Sequence, residues 1–155
     1  MSLRDGVQDE ARAEGWRSLA ALHARIEIRI ERALQAAHGL SVSEYTVLDV
    51  LNRQQDRHMR MQQLANAVVL SQSATTRLVA RLEEQDLLVR YLCATDRRGI
   101  YTEVSDKGRR VLQEAAPTHD AALREALAEA VAVPELAPLV HALESAGLGE
   151  LAQRA

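Results

Sequence analysis

The stretch from Met61 to Leu88, MQQLANAVVLSQSATTRLVARLEEQDLL, constrains this chain more than any other. Two apolar patterns at helical spacing meet there across a tight joint. Leu64, Ala65 and Val68 make the first; Ala74, Leu78 and Leu82 fall at i, i+4 and i+8 in the second, with Val79 beside them. Committing that stripe to a core leaves an unusual outward face. Gln72, Ser73, Thr75 and Thr76 crowd the first turns of the second helix, followed by Arg77 and Arg81, and these side chains bond base edges and phosphates. Ser71 is the expected N-cap, which sets Gln72 and Ser73 at the positive end of the helix dipole. By themselves these residues also fit a plain surface helix, because short polar side chains cap helices generally and exposed Arg is usually just solvated.

The next segment discriminates. Val89 to Ala94 and Ile100 to Val104 are rich in strand formers, and Asp96-Arg97-Arg98-Gly99 lies between them as a charged turn. A helix pair followed by a hairpin with two arginines at its tip is a winged helix, and the tip can reach a minor groove, whose negative potential favours Arg. The expected fold is mainly α with a small β-hairpin wing. Residues 1–39 form an N-terminal helix of a dimerisation region, 40–108 the winged helix-turn-helix, and 109–155 the C-terminal dimerisation helices.

The order LANAVVLSQSATTRLVARLEEQDLLVR, then TDRRG, then VSDKG resembles the MarR family of bacterial transcription regulators. The resemblance covers about Met61 to Gly108 closely and the flanking helices more loosely; the Asp96-Arg97-Arg98 turn followed by Val104-Ser105 and Gly108 is its most specific part. It implies a symmetric dimer on double-stranded DNA, binding a pseudo-palindromic operator, often near its own promoter, and released by a small aromatic or phenolic effector. It also implies that Asp96 holds Arg97 or Arg98. The family's effector crevice, where the first two helices, the long helix after the wing and the reader meet, brings Trp16, His23, Tyr45 and Arg90 into consideration. Each also has a plain structural use: Trp16 as dimer core, His23 as an interface residue, Tyr45 as a helix staple, Arg90 as a partner near the wing. One departure is Arg60, which stands where the family often places a capping Ser or Thr.

Composition removes other classes. The chain has 155 residues, 47% hydrophobic and 26% charged, enough for one domain or one two-lobed protomer with a sizeable core. No apolar run reaches membrane-spanning length and the acidic N-terminus does not resemble a signal peptide, so a cytoplasmic protein is expected. The net charge is −3, yet Arg57 to Arg110 holds ten basic residues against six acidic ones. Basic charge is therefore concentrated on the reader. With four aromatic residues and no Phe, a stacking platform for single strands is not expected. The lone Cys93 excludes an internal disulfide; a redox switch there competes with the simpler reading of a small buried hydrophobe. His23, His38, His58, His119 and His141 have neither ligand spacing nor a companion Cys, so no metal and no cofactor are expected. No phosphate loop or nucleophile elbow points to an enzyme. A winged helix used only to bind other proteins is the alternative reading.

Helical stripes flank the reader. Trp16, Leu19, His23, Ile26, Ile30, Ala33, Leu34 and Ala37 share one face, ending at His38-Gly39. Ser41 and Glu44 then form a capping box, with Leu40 placed to staple onto Tyr45. After the wing, Ser105 is placed to cap a long helix in which Pro117 predicts a kink or break. Pro134 suits the start of a last helix with Leu136, Leu139, Val140 and Leu143 on its apolar face. Surplus apolar faces on both flanks, Leu19, Ile26, Leu127, Leu136, Leu139, Val140 and Leu143 among them, need either a second copy or a bundle within the chain. A two-fold axis favours the dimer, because it also matches DNA half-sites about 34–36 Å apart.

Overall fold

The computed structural model describes residues 3–56, 58–92 and 99–154. The elements in order are α1 (Leu3–His38), α2 (Val42–Asn52), β1 (His58–Arg60), α3 (Met61–Val68), α4 (Gln72–Glu84), β2 (Leu88–Leu92), β3 (Ile100–Val104), α5 (Asp106–Ala130) and α6 (Ala137–Arg154). They divide into two compact units. One spans Ala33–His119; the other takes the first 32 residues together with the chain from Asp120 onward. The fold is mostly helical with a small antiparallel sheet, as expected.

The Ala33–His119 unit is wider at both ends than the 40–108 segment expected from sequence. The end of α1 and the first turns of α5 supply part of its core, with Leu34, Leu112 and Ala115 buried. His38 Nε2 lies 2.8 Å from the Thr118 hydroxyl, and the Tyr45 ring stacks on His119 with centroids 4.4 Å apart. Local signals act as read. Gly39 leaves α1 at φ +64, Ser41 Oγ accepts from the Glu44 N–H at 3.0 Å, and a Glu44 carboxylate oxygen accepts from the Ser41 N–H at 3.3 Å. Leu40 and Tyr45 are both buried beside that box, followed by Val47, Leu48 and Leu51 along the inner face of α2.

The sheet has three strands in the order β1-β3-β2, both pairings antiparallel. The short strand β1 is an addition to the two strands read from the sequence: Met59 pairs with Thr102 and Arg60 with Tyr101. Three residues are too few to carry an alternating pattern. Leu88, Thr102 and Val104 turn toward the helices and are buried.

Ser105 caps α5 as expected: its Oγ accepts from the Gly108 N–H at 2.9 Å and donates to the Asp86 carbonyl at 2.6 Å. Of the kink or break expected at Pro117, the break does not occur, since α5 continues through it to Ala130. Pro removes a single backbone bond, while Leu112, Ala115, Ala122 and Ala126 keep the helix face buried on both sides of it.

In the other unit, Leu22, Ala130, Leu136 and Val140 form a core on which Ile26, Leu127, Val133 and Leu139 pack. Two interface assignments are thereby corrected: Leu136 and Val140 are 3% and 2% exposed within their own chain and have no surface to offer a partner. Pro134 also moves. It falls in a turn before α6, where the Val133 carbonyl accepts from the N–H groups of Leu136 and Ala137 at 3.0 Å each. Trp16 and Leu19 on α1 and Leu143, Leu148 and Leu151 on α6 stay exposed. No helix among the described residues is long and apolar enough to cross a membrane.

Candidate nucleic-acid interface

The joint between α3 and α4 is closed by backbone geometry. Leu64 and Ala65 anchor α3 in the core, and the helix ends at Val69, which adopts φ 55 and ψ 45. The Leu70 N–H donates to the Ala65 carbonyl at 3.1 Å and the Val69 N–H to Asn66 at 3.3 Å. A β-branched residue in this left-handed conformation costs about 1–2 kcal/mol, yet Val69 is 87% exposed and no side-chain burial offsets that cost. The chain then extends through Ser71, whose Oγ accepts from the Ala74 N–H at 3.2 Å and lies 3.3 Å from the Ser73 hydroxyl. The predicted N-cap is in place and starts α4 at Gln72.

Leu78, Val79 and Leu82 are buried, which fixes the rotation of α4 about its axis. Gln72, Ser73, Thr76, Arg77 and Arg81 consequently stand on the exposed side. The Thr76 hydroxyl donates to the Gln72 carbonyl at 2.8 Å, so it meets a ligand as an acceptor with its methyl group alongside. Arg81 is 61% exposed, with a guanidinium nitrogen 3.9 Å from the buried Glu44 carboxylate. Thr75 is the correction on this helix: its exposure is 0% and its hydroxyl donates to the Ser71 carbonyl at 2.9 Å, so it cannot reach a phosphate. Leu78, Val79 and Leu82 stand at i+3, i+4 and i+7 from Thr75, a spacing that places it on the core side. Glu84, which sequence reading passed over, is exposed in the last turn.

The sheet is tied to α4 by Arg90, read from sequence as a partner near the wing, whose mate Glu83 the sequence did not name. Arg90 on β2 donates to the Glu83 carboxylate through Nε at 3.2 Å to each oxygen and through a terminal nitrogen at 2.8 Å, and its backbone N–H adds a 3.2 Å bond. Hydrogen bonds from the Arg90 guanidinium, reinforced by its charge, hold the Glu83 carboxyl below the usual carboxylate range, and the same bonds raise the Arg90 pKa. Arg90 thus joins the reader to the wing strand, the plain structural use read for it. The residues lie seven apart, and only the α4–β2 turn at Asp86 (φ 60) folds them together. Asp96, Arg97 and Arg98 of the wing tip, and Cys93, lie outside the described residues.

Of the other effector candidates, Tyr45 borders a cleft of about 570 Å³ between α2 and α5, with Asp49, Asn52, Arg109, Arg110 and Gln113 among its walls. Arg109 pairs with Asp106 and donates to the Val104 carbonyl at 3.3 Å. Trp16 and His23 belong to the other unit; His23 is exposed and 3.6 Å from Glu27. Among the described residues no three His, Cys, Asp or Glu side chains gather as metal ligands.

A capped outward helix behind a tight joint, followed by an antiparallel hairpin, defines a winged helix-turn-helix protein. The MarR family model matches residues 38–99. Sco3205 of Streptomyces coelicolor, a MarR family transcriptional regulator whose crystal structure is a complex with DNA, is 30% identical, with 89% of this chain and 81% of that chain covered and a TM-score of 0.70. The chain belongs to the MarR family. Over 88 residues it is 33% identical to the HTH-type transcriptional regulator MhqR of Bacillus subtilis; that match spans 57% of this chain and 59% of MhqR. CouR of Rhodococcus jostii RHA1, in a crystal structure bound to p-coumaroyl-CoA, is 33% identical with a TM-score of 0.61, covering 67% of this chain and 71% of that one. Sco3205 and MhqR are both transcriptional regulators.

Proposed function

We propose that this chain is a sequence-specific regulator that binds double-stranded DNA as a homodimer on a pseudo-palindromic operator, as a repressor released by a small aromatic effector, and works in the cytoplasm. The observation that carries the reading is the exposed row Gln72, Ser73, Thr76, Arg77 and Arg81 on a helix whose start is fixed by Ser71 and whose rotation is fixed by buried Leu78, Val79 and Leu82. Gln72, Ser73 and Thr76 read base edges, Arg77 and Arg81 hold phosphates or bases, and Arg97 or Arg98 enters the minor groove with Asp96 orienting one of them. The DNA complex of Sco3205 supports this use of the fold.

Dimer formation is supported by Trp16, Leu19, Leu143, Leu148 and Leu151, a set of apolar side chains too large to leave in water on two helices of one protomer. The effector's seat is the Tyr45 cleft. Its mixed walls of ring, amide, carboxylate and guanidinium suit a small aromatic acid, and the ligand bound to CouR supports an acyl-aromatic class. An effector regulates only by preferring one arrangement of the two readers, so effector and operator must weaken each other's binding by the same factor.

The test is fluorescence anisotropy with labelled DNA from the chain's own upstream region, at two salt concentrations, against a scrambled competitor. Specific binding with a steep salt slope is expected. Absence of binding to either DNA at low salt, with a stable protein partner found instead, overturns the reading in favour of an interaction module.

A further inference from the structure

We propose that Arg60, held against Tyr101, is a DNA-backbone anchor placed where the first helix of the pair meets the sheet. It rests on the DNA-binding reading and adds a contact outside α4 and the wing tip.

The residue that opens a helix is normally one whose side chain accepts a bond from a helix N–H, and a guanidinium has no acceptor. At α3 the local need is met in reverse: the Gln63 side-chain oxygen accepts from the Arg60 N–H at 3.2 Å. The Arg60 side chain is left to another task. It crosses to the sheet, where Nε donates to the Tyr101 hydroxyl at 3.0 Å and the guanidinium carbon lies 5.6 Å from the ring centroid. Tyr101 is itself fixed on both sides. His58 stands edge-on to it at 5.1 Å, and Tyr91 stacks on it at 6.0 Å with 20° between the planes. Three strands thus cooperate to hold one exposed Arg in a single orientation. A guanidinium ordered beforehand loses less conformational entropy when an anion arrives, and its planar fork matches a phosphate with two parallel bonds.

Position identifies the anion. Arg60 immediately precedes the first helix of the pair, and its register partner Tyr101 is one residue from Ile100, where β3 meets the wing tip. In this class of protein the second helix enters the major groove, the first crosses the backbone, and the wing reaches the neighbouring minor groove. A sugar–phosphate strand separates any major groove from the adjacent minor groove. A cation mounted where the first helix meets the wing therefore faces phosphates and not base edges.

The experiment measures DNA affinity against salt for the wild-type dimer and for Arg60→Ala, Arg60→Lys and Tyr101→Phe, each on operator and scrambled DNA, with thermal melts of all four. Arg60→Ala is expected to lower affinity several-fold on both DNAs and to reduce the salt slope by about 0.9 per protomer, the share of one phosphate. Arg60→Lys retains the slope and recovers part of the affinity. Tyr101→Phe retains the slope with an intermediate loss, because the charge stays while its tether goes. Wild-type affinity and slope in Arg60→Ala overturn the anchor while leaving the α4 assignment standing. So does a loss confined to melting temperature with the slope intact. If the wild-type protein binds neither DNA, the DNA-binding reading fails and the anchor fails with it.

Discussion

Among the glycines whose surroundings are described, Gly108 has the least room for a side chain. A Cβ there would lie 2.2 Å from the Leu87 carbonyl oxygen, 2.9 Å from a Val104 methyl and 3.1 Å from the Leu87 carbonyl carbon. The obstacle is backbone, and it is pinned: the Leu87 oxygen accepts from the Ser105 N–H at 3.1 Å, and Ser105 Oγ bridges the Asp86 carbonyl and the Gly108 N–H. Relieving the clash moves the first turn of α5 by about 1 Å, the shortfall from a normal carbon–oxygen contact, and breaks at least one of these bonds. Two terms oppose each other in Gly108→Ala. Helix propensity favours Ala by about 1 kcal/mol. Overpacking costs about 1–3 kcal/mol and a lost hydrogen bond about 1 more. The balance is destabilisation of about 2 kcal/mol, a fall in melting temperature of roughly 4–8 °C for a chain of this size. Urea and thermal unfolding at fixed protein concentration measure it. An unchanged or higher melting temperature refutes the argument, because propensity alone would then govern the site.

Val69→Gly relieves the left-handed joint at an exposed residue and is expected to stabilise by about 0.5–1 kcal/mol after the glycine's own entropy is charged; destabilisation in urea unfolding contradicts the strain. The lowered Glu83 pKa means that the Glu83–Arg90 tie stabilises the native state fully above the unfolded carboxyl value of 4.5 and is lost as pH falls through the lower folded value. Glu83→Gln should therefore flatten stability against pH in that acidic window while changing it little between pH 6 and 7 beyond a constant offset of about 1 kcal/mol; an identical acid profile in the variant counts against the tie. Thr75→Val removes a buried hydroxyl bonded to the Ser71 carbonyl and is expected to cost about 1 kcal/mol of stability without altering the salt slope of DNA binding. A reduced slope would return Thr75 to the phosphate contacts.

Most of what starts and orients the reader was legible because it is local. The Ser41–Glu44 box and the caps at Ser71 and Ser105 each depend on groups within three residues, and the α4 stripe depends on periodicity alone. Thr75 was misread because Ala74, Leu78 and Leu82 give the same period with the helix rotated by one residue, and a hydroxyl on the inner flank looks polar until its own backbone satisfies it. Other features depend on residues brought together by the chain's return. Arg90 finds Glu83 only after the turn at Asp86, Arg60 finds Tyr101 only through a three-residue strand, and Val140 meets Leu22 across more than a hundred residues of sequence. Periodicity alone does not separate apolar residues that need a second copy from those that a bundle within the chain uses: of the surplus set, Leu136 and Val140 are buried within the chain, whereas Leu19 and Leu143 are exposed.

The central claim is that the outward face of α4 reads DNA, and the most direct test is a set of titrations of Gln72→Ala and Arg77→Ala on operator DNA with single base changes across each half-site. Gln72→Ala is predicted to lose about 1–3 kcal/mol on the intact operator and to become indifferent to the base at one position, whereas Arg77→Ala loses affinity on every sequence. Wild-type affinity and wild-type base preference in both variants would contradict the account.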